Sequence, residues 1–203
     1  MALRRTVQGN ADVWRMDLLR GGMTRLTVDA APDLNPIWSP DGMRIAFSSN
    51  RTGVQRVLDV YVQPSSGSGS EERLTDSPNV KIGQAWSPDG RWLLYYEVNP
   101  TTGRDLWALD MNSPDRTPRV VANTPAEEVL AQCSPDGRWV AYQTNESGRF
   151  EVAVQPFPDA GGKWQVSTTG GVAPRWRADG KELYFLAPDA TMISRWRMNS
   201  APR

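Results

Sequence analysis

Large apolar side chains recur at alternate positions behind a polar knot that the chain writes four times. Counted from Gly42, Gly90, Gly137 and Gly180, the third position holds Ile45, Leu93, Val140 and Leu183, and the fifth holds Phe47, Tyr95, Tyr142 and Phe185. A period of two rich in β-branched and aromatic residues predicts a strand after each knot. A second column, Asp12-Val13-Trp14, Asp59-Val60-Tyr61, Asp105-Leu106-Trp107 and Glu151-Val152-Ala153, predicts another strand in each repeat. Short apolar segments at Leu26, Leu74, Val120 and Val166 predict one more. With the residues that lead into each knot, every period holds four short strands. No segment carries a 3.6-residue period, which excludes solenoids of helix pairs.

The knots read WSPDG (38–42), WSPDG (86–90), CSPDG (133–137) and WRADG (176–180), and their aspartates are spaced by 48, 47 and 43 residues. A unit of about 46 residues with four antiparallel strands has the size of one β-propeller blade, whose two faces are buried only when neighbours stack on it. The expected fold is therefore all-β, a single β-propeller domain over residues 1–203 built from four-stranded antiparallel blades. Full blades are expected at 34–76, 80–122 and 128–168, with partial blades at 10–30 and 172–197. PSSGSGSEE (64–72) reads as a mobile outer loop. The first partial blade opens in a third strand, DVWRMDL, and the last runs APRWR, ELYFL, MISRW. Two readings of the ends stand: closure into a composite fourth blade, or a piece of a propeller of about six to eight blades, the latter favoured because four blades is the small limit of the class. Unclosed edges would predict self-association.

Composition narrows the function. Lys plus Arg and Asp plus Glu number 23 each, so no basic field draws nucleic acid. Nowhere do 18 apolar residues run together, and the basic start has no apolar stretch behind it, so neither a classical signal nor a membrane contact is expected of this chain. Histidine is absent and Cys133 stands alone, which removes Ser-His-Asp and Cys-His catalysis, disulfides and CxxC zinc pairs. Acids at Asp12, Asp59, Asp105 and Glu151 lack the D-x-D-x-D-G spacing of a calcium loop. They are read as capping strand starts or pairing with arginines such as Arg51, Arg104 and Arg149. No metal or cofactor is expected.

Ser87 and Asp89 look at first like a nucleophile beside a carboxylate. The same pair recurs at Ser39 with Asp41 and Ser134 with Asp136, and an active site does not need a copy in every blade. The favoured reading is a turn: proline presets the second position, aspartate takes the third and glycine the left-handed position. Asp41, Gly42, Asp89, Gly90, Asp136, Gly137, Asp179 and Gly180 are structural turn residues on this reading. Trp38, Trp86, Trp92, Trp139 and Trp176 are expected between blades, with Cys133 a small filler in the tryptophan column. Polar residues leading into the first strands, Asn35, Lys81, Gln84, Glu128, Gln132 and Arg175, are the candidates for a channel-mouth binding surface.

The repeat WSPDG-x-x-IAF-S-x-N-R-x-G-x-x-D-V-Y-V resembles the TolB-like family of WD-repeat-like propellers over about residues 10–197. More narrowly, RTVQGNADVW, SPDGRWVAYQTNESGRFEVAVQPFP and GGKWQVSTTGGVAPRWRADGKELYFLAPD resemble the propeller behind the membrane-spanning segment of certain bacterial serine/threonine protein kinases. Three features depart from the pattern: Cys133 in place of an aromatic, the fourth knot without its proline, and Ala153 in place of a bulky residue. The resemblance implies a non-catalytic module binding a protein or small molecule, extracytoplasmic in full-length relatives and part of a signalling protein. Gating of a prolyl-oligopeptidase-type peptidase and TolB-like envelope assembly are the alternatives it leaves open. A kinase's glycine-rich, HRD-type and DFG-type elements, and a hydrolase's G-x-S-x-G elbow, do not occur in the sequence.

Overall fold

The computed structural model describes residues 1–54, 56–159, 161–187 and 193–197, and every regular element among them is a strand. Part of the expected strand MISRW, Met192, lies outside the described residues. The chain divides into two compact units, Met1–Gln84 and Ala85–Arg203, with the boundary inside one strand.

The first unit holds two sheets. β1 (Ala2–Val7), β2 (Asn10–Met16) and β3 (Met23–Arg25) form one, in that order, and β4 (Asp33–Trp38), β5 (Arg44–Ser49), β6 (Asp59–Pro64) and β7 (Glu72–Arg73) form the other. The first sheet thus begins ahead of the expected 10–30: ALRRTV pairs along β2 from Ala2 opposite Arg15 to Val7 opposite Asn10. Its two arginines and mostly exposed residues hide it from a search for apolar alternation. Val13, Leu26, Ile45, Phe47 and Tyr61 close the core between the two sheets, with Trp38 packed against it.

In the second unit, β12 (Glu128–Cys133) to β15 (Trp164–Gln165) run in sequence order, with β13 (Trp139–Thr144) and β14 (Glu151–Pro156) between them. β16 (Val172–Trp176), β17 (Glu182–Leu186) and β18 (Ile193–Arg197) make a three-stranded sheet. A further sheet orders β11 (Arg119–Ala122), β10 (Gly103–Asp110), β9 (Trp92–Asn99) and β8 (Lys81–Trp86), the strand in which the boundary falls. The strand pairings within these sheets are antiparallel. One core cluster joins Leu94, Leu106 and Ala108 to Ala131, Val140 and Tyr142, and Cys133 packs against it. Another joins Val152 and Val154 to Leu183 and Phe185, with Trp139 and Trp176 at its margin. Middle strands such as β5 and β13 are buried on both faces, so Ala46 and Ala141, which alternate with the large apolar residues, are buried as well.

Three of the first strands, β4, β12 and β16, share a defect. Register shifts fall between Leu34 and Ile37, Val129 and Gln132, and Val172 and Arg175. Asn35, Leu130 and Ala173 sit inside them at φ of 50°, 55° and 52°. A bulge of this kind bends the strand and re-aims the side chains around it, and holding leucine and alanine in the left-handed region costs about 1–2 kcal/mol each.

Candidate functional site

Each knot is a closed hydrogen-bond circuit. Ser39, Ser87 and Ser134 are 2%, 2% and 1% exposed, and each Oγ donates to the aspartate two residues on at 2.5 Å. The same Oγ atoms accept backbone N–H groups from Arg44, Trp92 and Trp139 at 2.9, 2.8 and 3.0 Å. The aspartates also accept the N–H of Met43, Arg91 and Arg138. Gly42, Gly90, Gly137 and Gly180 lie at φ of 70–72°, the left-handed position that glycine fills without a Cβ penalty. In the fourth knot Arg177 stands in the serine's place; its N–H donates to the Glu182 carbonyl at 2.9 Å and its guanidinium reaches Glu182 at 3.1 Å and Asp179 at 3.4 Å.

Each hydroxyl is thus held at once as donor to its carboxylate and acceptor from the backbone, as a turn requires. The Ser39 hydroxyl, then the Met43 amide, hold the Asp41 carboxyl below its usual range. For Asp136, burial pushes upward, and the Ser134 hydroxyl and Arg138 outweigh it. Both carboxyls are thus acceptors fixed in a turn, not bases poised near neutrality. Burial likewise pushes the Cys133 thiol up to about 12, which keeps it a neutral packing group.

The six channel-mouth candidates separate. Asn35 and Arg175 are exposed on β4 and β16, and Gln84 and Gln132 are half-buried. Lys81 and Glu128 do not face solvent: each is 1% exposed, at the equivalent first position of its strand. Exposed Leu130, in the bulge position equivalent to Asn35, belongs with the accessible group.

Lys81 and Glu128 instead enter polar junctions built on the acid column. In the first unit Asp59, fully buried, receives Lys81 Nζ at 2.8 Å, Arg73 at 2.6 Å and Thr75 Oγ1 at 3.1 Å. Asp12 takes Arg25 at 2.8 Å, and Asp33 takes Arg51 at 2.8 Å. In the second unit Glu151 takes Arg149 at 2.8 Å, together with Ser167 Oγ and the Gly170 N–H. Arg51 and Arg104 were expected on the acid column, but Arg51 serves Asp33 and Arg104 reaches Glu127 at 3.3 Å. The partners missed from sequence are Arg25, Arg73, Thr27, Thr75 and Ser167. Thr27, Thr75 and Ser167 cap the Val13, Val60 and Val152 N–H groups at 2.9, 2.9 and 2.7 Å. Their recurrence 15 or 16 residues after each acid was the available signal.

Among the described residues no three acidic or thiol groups gather as a metal site, and no helix is long and apolar enough to cross a membrane. What the repeats define is a β-propeller: antiparallel sheets of three or four short strands, four of them knotted between their first and second strands, that share core clusters with a neighbouring sheet within each unit. Residues 1–104 match the TolB beta propeller domain, and the chain belongs to that family. It is 28% identical over 180 residues to Uncharacterized protein Atu1656 of Agrobacterium fabrum, covering 82% of this chain and 58% of that protein. Over 98 residues, 48% of the chain, it is 34% identical to Tricorn protease homolog 1 of Streptomyces coelicolor, of which this is 9%. The solved structure of a putative TolB from Agrobacterium tumefaciens superposes with a TM-score of 0.78 at 20% identity, over 97% of this chain and 73% of that one; this likeness is one of fold. The chain therefore spans little more than half of one curated relative and a small part of the other.

Proposed function

We propose that the chain is a non-catalytic binding module that presents first-strand side chains to a protein or small-molecule ligand, within a bacterial signalling protein of the sort the kinase-tail resemblance implies. One observation carries the reading. The serines of the three serine–carboxylate pairs that could have been catalytic are buried and each pair is engaged in a turn, while bulges hold Asn35, Leu130 and the neighbouring Arg175 outward on the first strands of three sheets. Rigid strands with outward loops and bulges favour recognition over chemistry.

The likeness to a tricorn protease homologue favours a second reading, in which the propeller restricts access to a peptidase site elsewhere in a longer chain. A third, envelope assembly, draws on the likeness to a putative TolB. Self-association through the outer strands of the three-stranded sheets belongs to the same proposal, and light scattering reads it out. The direct test pans a displayed peptide library on the immobilised chain, with the Leu130→Ser/Arg175→Ala variant as control. Peptides that bind the chain at least about tenfold better than the variant support the binding reading; recovered peptides indifferent to both substitutions sink it.

A further inference from the structure

The junction between β10 and β12 has lost the cations its sister holds. In the first unit the acid at the start of the third strand, Asp59, meets Arg73 from the fourth strand and Lys81 from the next first strand. Arg73 lies opposite Tyr61, two residues past the acid. Two residues past Asp105 stands Trp107, and opposite it is Val120. The lysine position, first in β12, is Glu128. Both positive charges are gone, and a second carboxylate has come in.

Asp105 and Glu128 are 2% and 1% exposed. Thr102 donates to Asp105 Oδ2 at 2.8 Å, and Thr124 donates to Glu128 Oε1. The remaining oxygens, Asp105 Oδ1 and Glu128 Oε2, are buried with no hydrogen-bond partner among the described residues. Two carboxylate oxygens buried in one junction without partners cost several kcal/mol if both groups carry charge. The alternative is a proton on one of the two, since a nearby like charge and burial both disfavour the ionised form.

We propose that Glu128, which stands where the sister junction has its lysine, carries a proton on its unpartnered Oε2, and that this makes the β10–β12 junction responsive to pH near neutrality. The surrounding charges do not replace the proton. Glu97 on β9 lies opposite Asp105 and adds negative charge. Arg104 is committed to Glu127, and Lys163, which faces Glu128 from a distance, is committed to Glu146. Tyr142 on β13 spends its hydroxyl on Gln155 at 2.8 Å. Burial, with the Asp105 charge adding to it and Thr124 opposing, raises the Glu128 carboxyl from 4.5 to about 7. Because the folded value is raised, the stabilisation is fully present below 4.5 and is lost as pH rises through about 7.

The test uses the whole chain. Urea unfolding of the wild type, Glu128→Gln and Glu128→Lys is followed from about pH 5 to about pH 9, and infrared spectroscopy follows the C=O band of a protonated carboxyl. The ratio of protonated to ionised Glu128 should fall from about ten to one at about pH 6 to about one to ten at about pH 8. The wild-type midpoint should fall in that window while Glu128→Gln, which keeps a donor without a proton to lose, stays level. Glu128→Lys recreates the Asp59–Lys81 pairing and should also stay level. Parallel loss of stability in all three proteins, or no protonated carboxyl band at about pH 6 in the wild type, overturns the proposal. Stabilisation of the wild type by calcium chloride that Glu128→Gln lacks overturns it as well, by making the pair a cation site. Should Glu128→Gln fail to fold, the wild-type band and the Glu128→Lys profile still decide.

Discussion

Replacing Lys81 by methionine isolates what a buried ion pair contributes to this fold. Lys81 and Asp59 are 1% and 0% exposed, and Nζ stands 2.8 Å from Oδ1. At that separation and an effective dielectric constant of about 20, the gross attraction is about 6 kcal/mol, most of which offsets the cost of taking both charges out of water. Methionine matches the lysine stem in volume, so little cavity forms. What it leaves is Asp59 with Arg73, a guanidinium 40% exposed and hence well screened. The expected loss is about 3–5 kcal/mol. The double variant Lys81→Met/Asp59→Asn keeps an acceptor for Thr75 Oγ1 and no longer strands a charge, so it should be less destabilised than the single one by about 2 kcal/mol. Urea unfolding followed by the fluorescence of the nine tryptophans measures both. A single-variant loss below about 1 kcal/mol would refute the reasoning, since that is the value of a hydrated surface pair.

Two further substitutions probe the repeat. Ser87→Ala removes the acceptor of the Trp92 N–H and the donor to Asp89; a loss of about 1–3 kcal/mol is expected in the same unfolding assay, and a neutral result would show the knot is dispensable. At Gly83 an added Cβ would lie 2.9 Å from Ile37 Cδ1, so Gly83→Ala should cost about 1–3 kcal/mol. Ile37→Val in the same chain should recover part of that loss by thermal melting, and a double variant no better than Gly83→Ala would contradict the contact.

The fold was legible because its signals are local. The Ser-Pro-Asp-Gly turn and the period of two at Ile45 and Phe47, Leu93 and Tyr95, and Val140 and Tyr142 each depend on residues a few places apart, and repetition multiplied them. β1 escaped because an edge strand such as ALRRTV buries too little to show an apolar face. The binding candidates were legible only in part, and the bulges explain why. Counting by twos back from Asp136 holds as far as Gln132; at Leu130 the register shifts, and Glu128 beyond it enters the junction. Lys81 reads as a rim residue for the same cause of position and polarity, since its partner Asp59 lies 22 residues away. Such pairings are set by how one blade's third strand meets the next blade's first, which no short window of sequence records. The loss of the cations around Asp105 becomes visible only when the junctions are compared with one another.

The proposed binding role requires the recurring serine–aspartate pairs to be turns and not catalytic dyads. Labelling of the purified, folded chain with a serine-directed fluorophosphonate, with modified residues mapped by mass spectrometry, tests it most directly. If the pairs are turns, Ser39, Ser87 and Ser134 show no labelling above that of the heat-denatured chain. Stoichiometric labelling of any of the three that requires the folded state would contradict it.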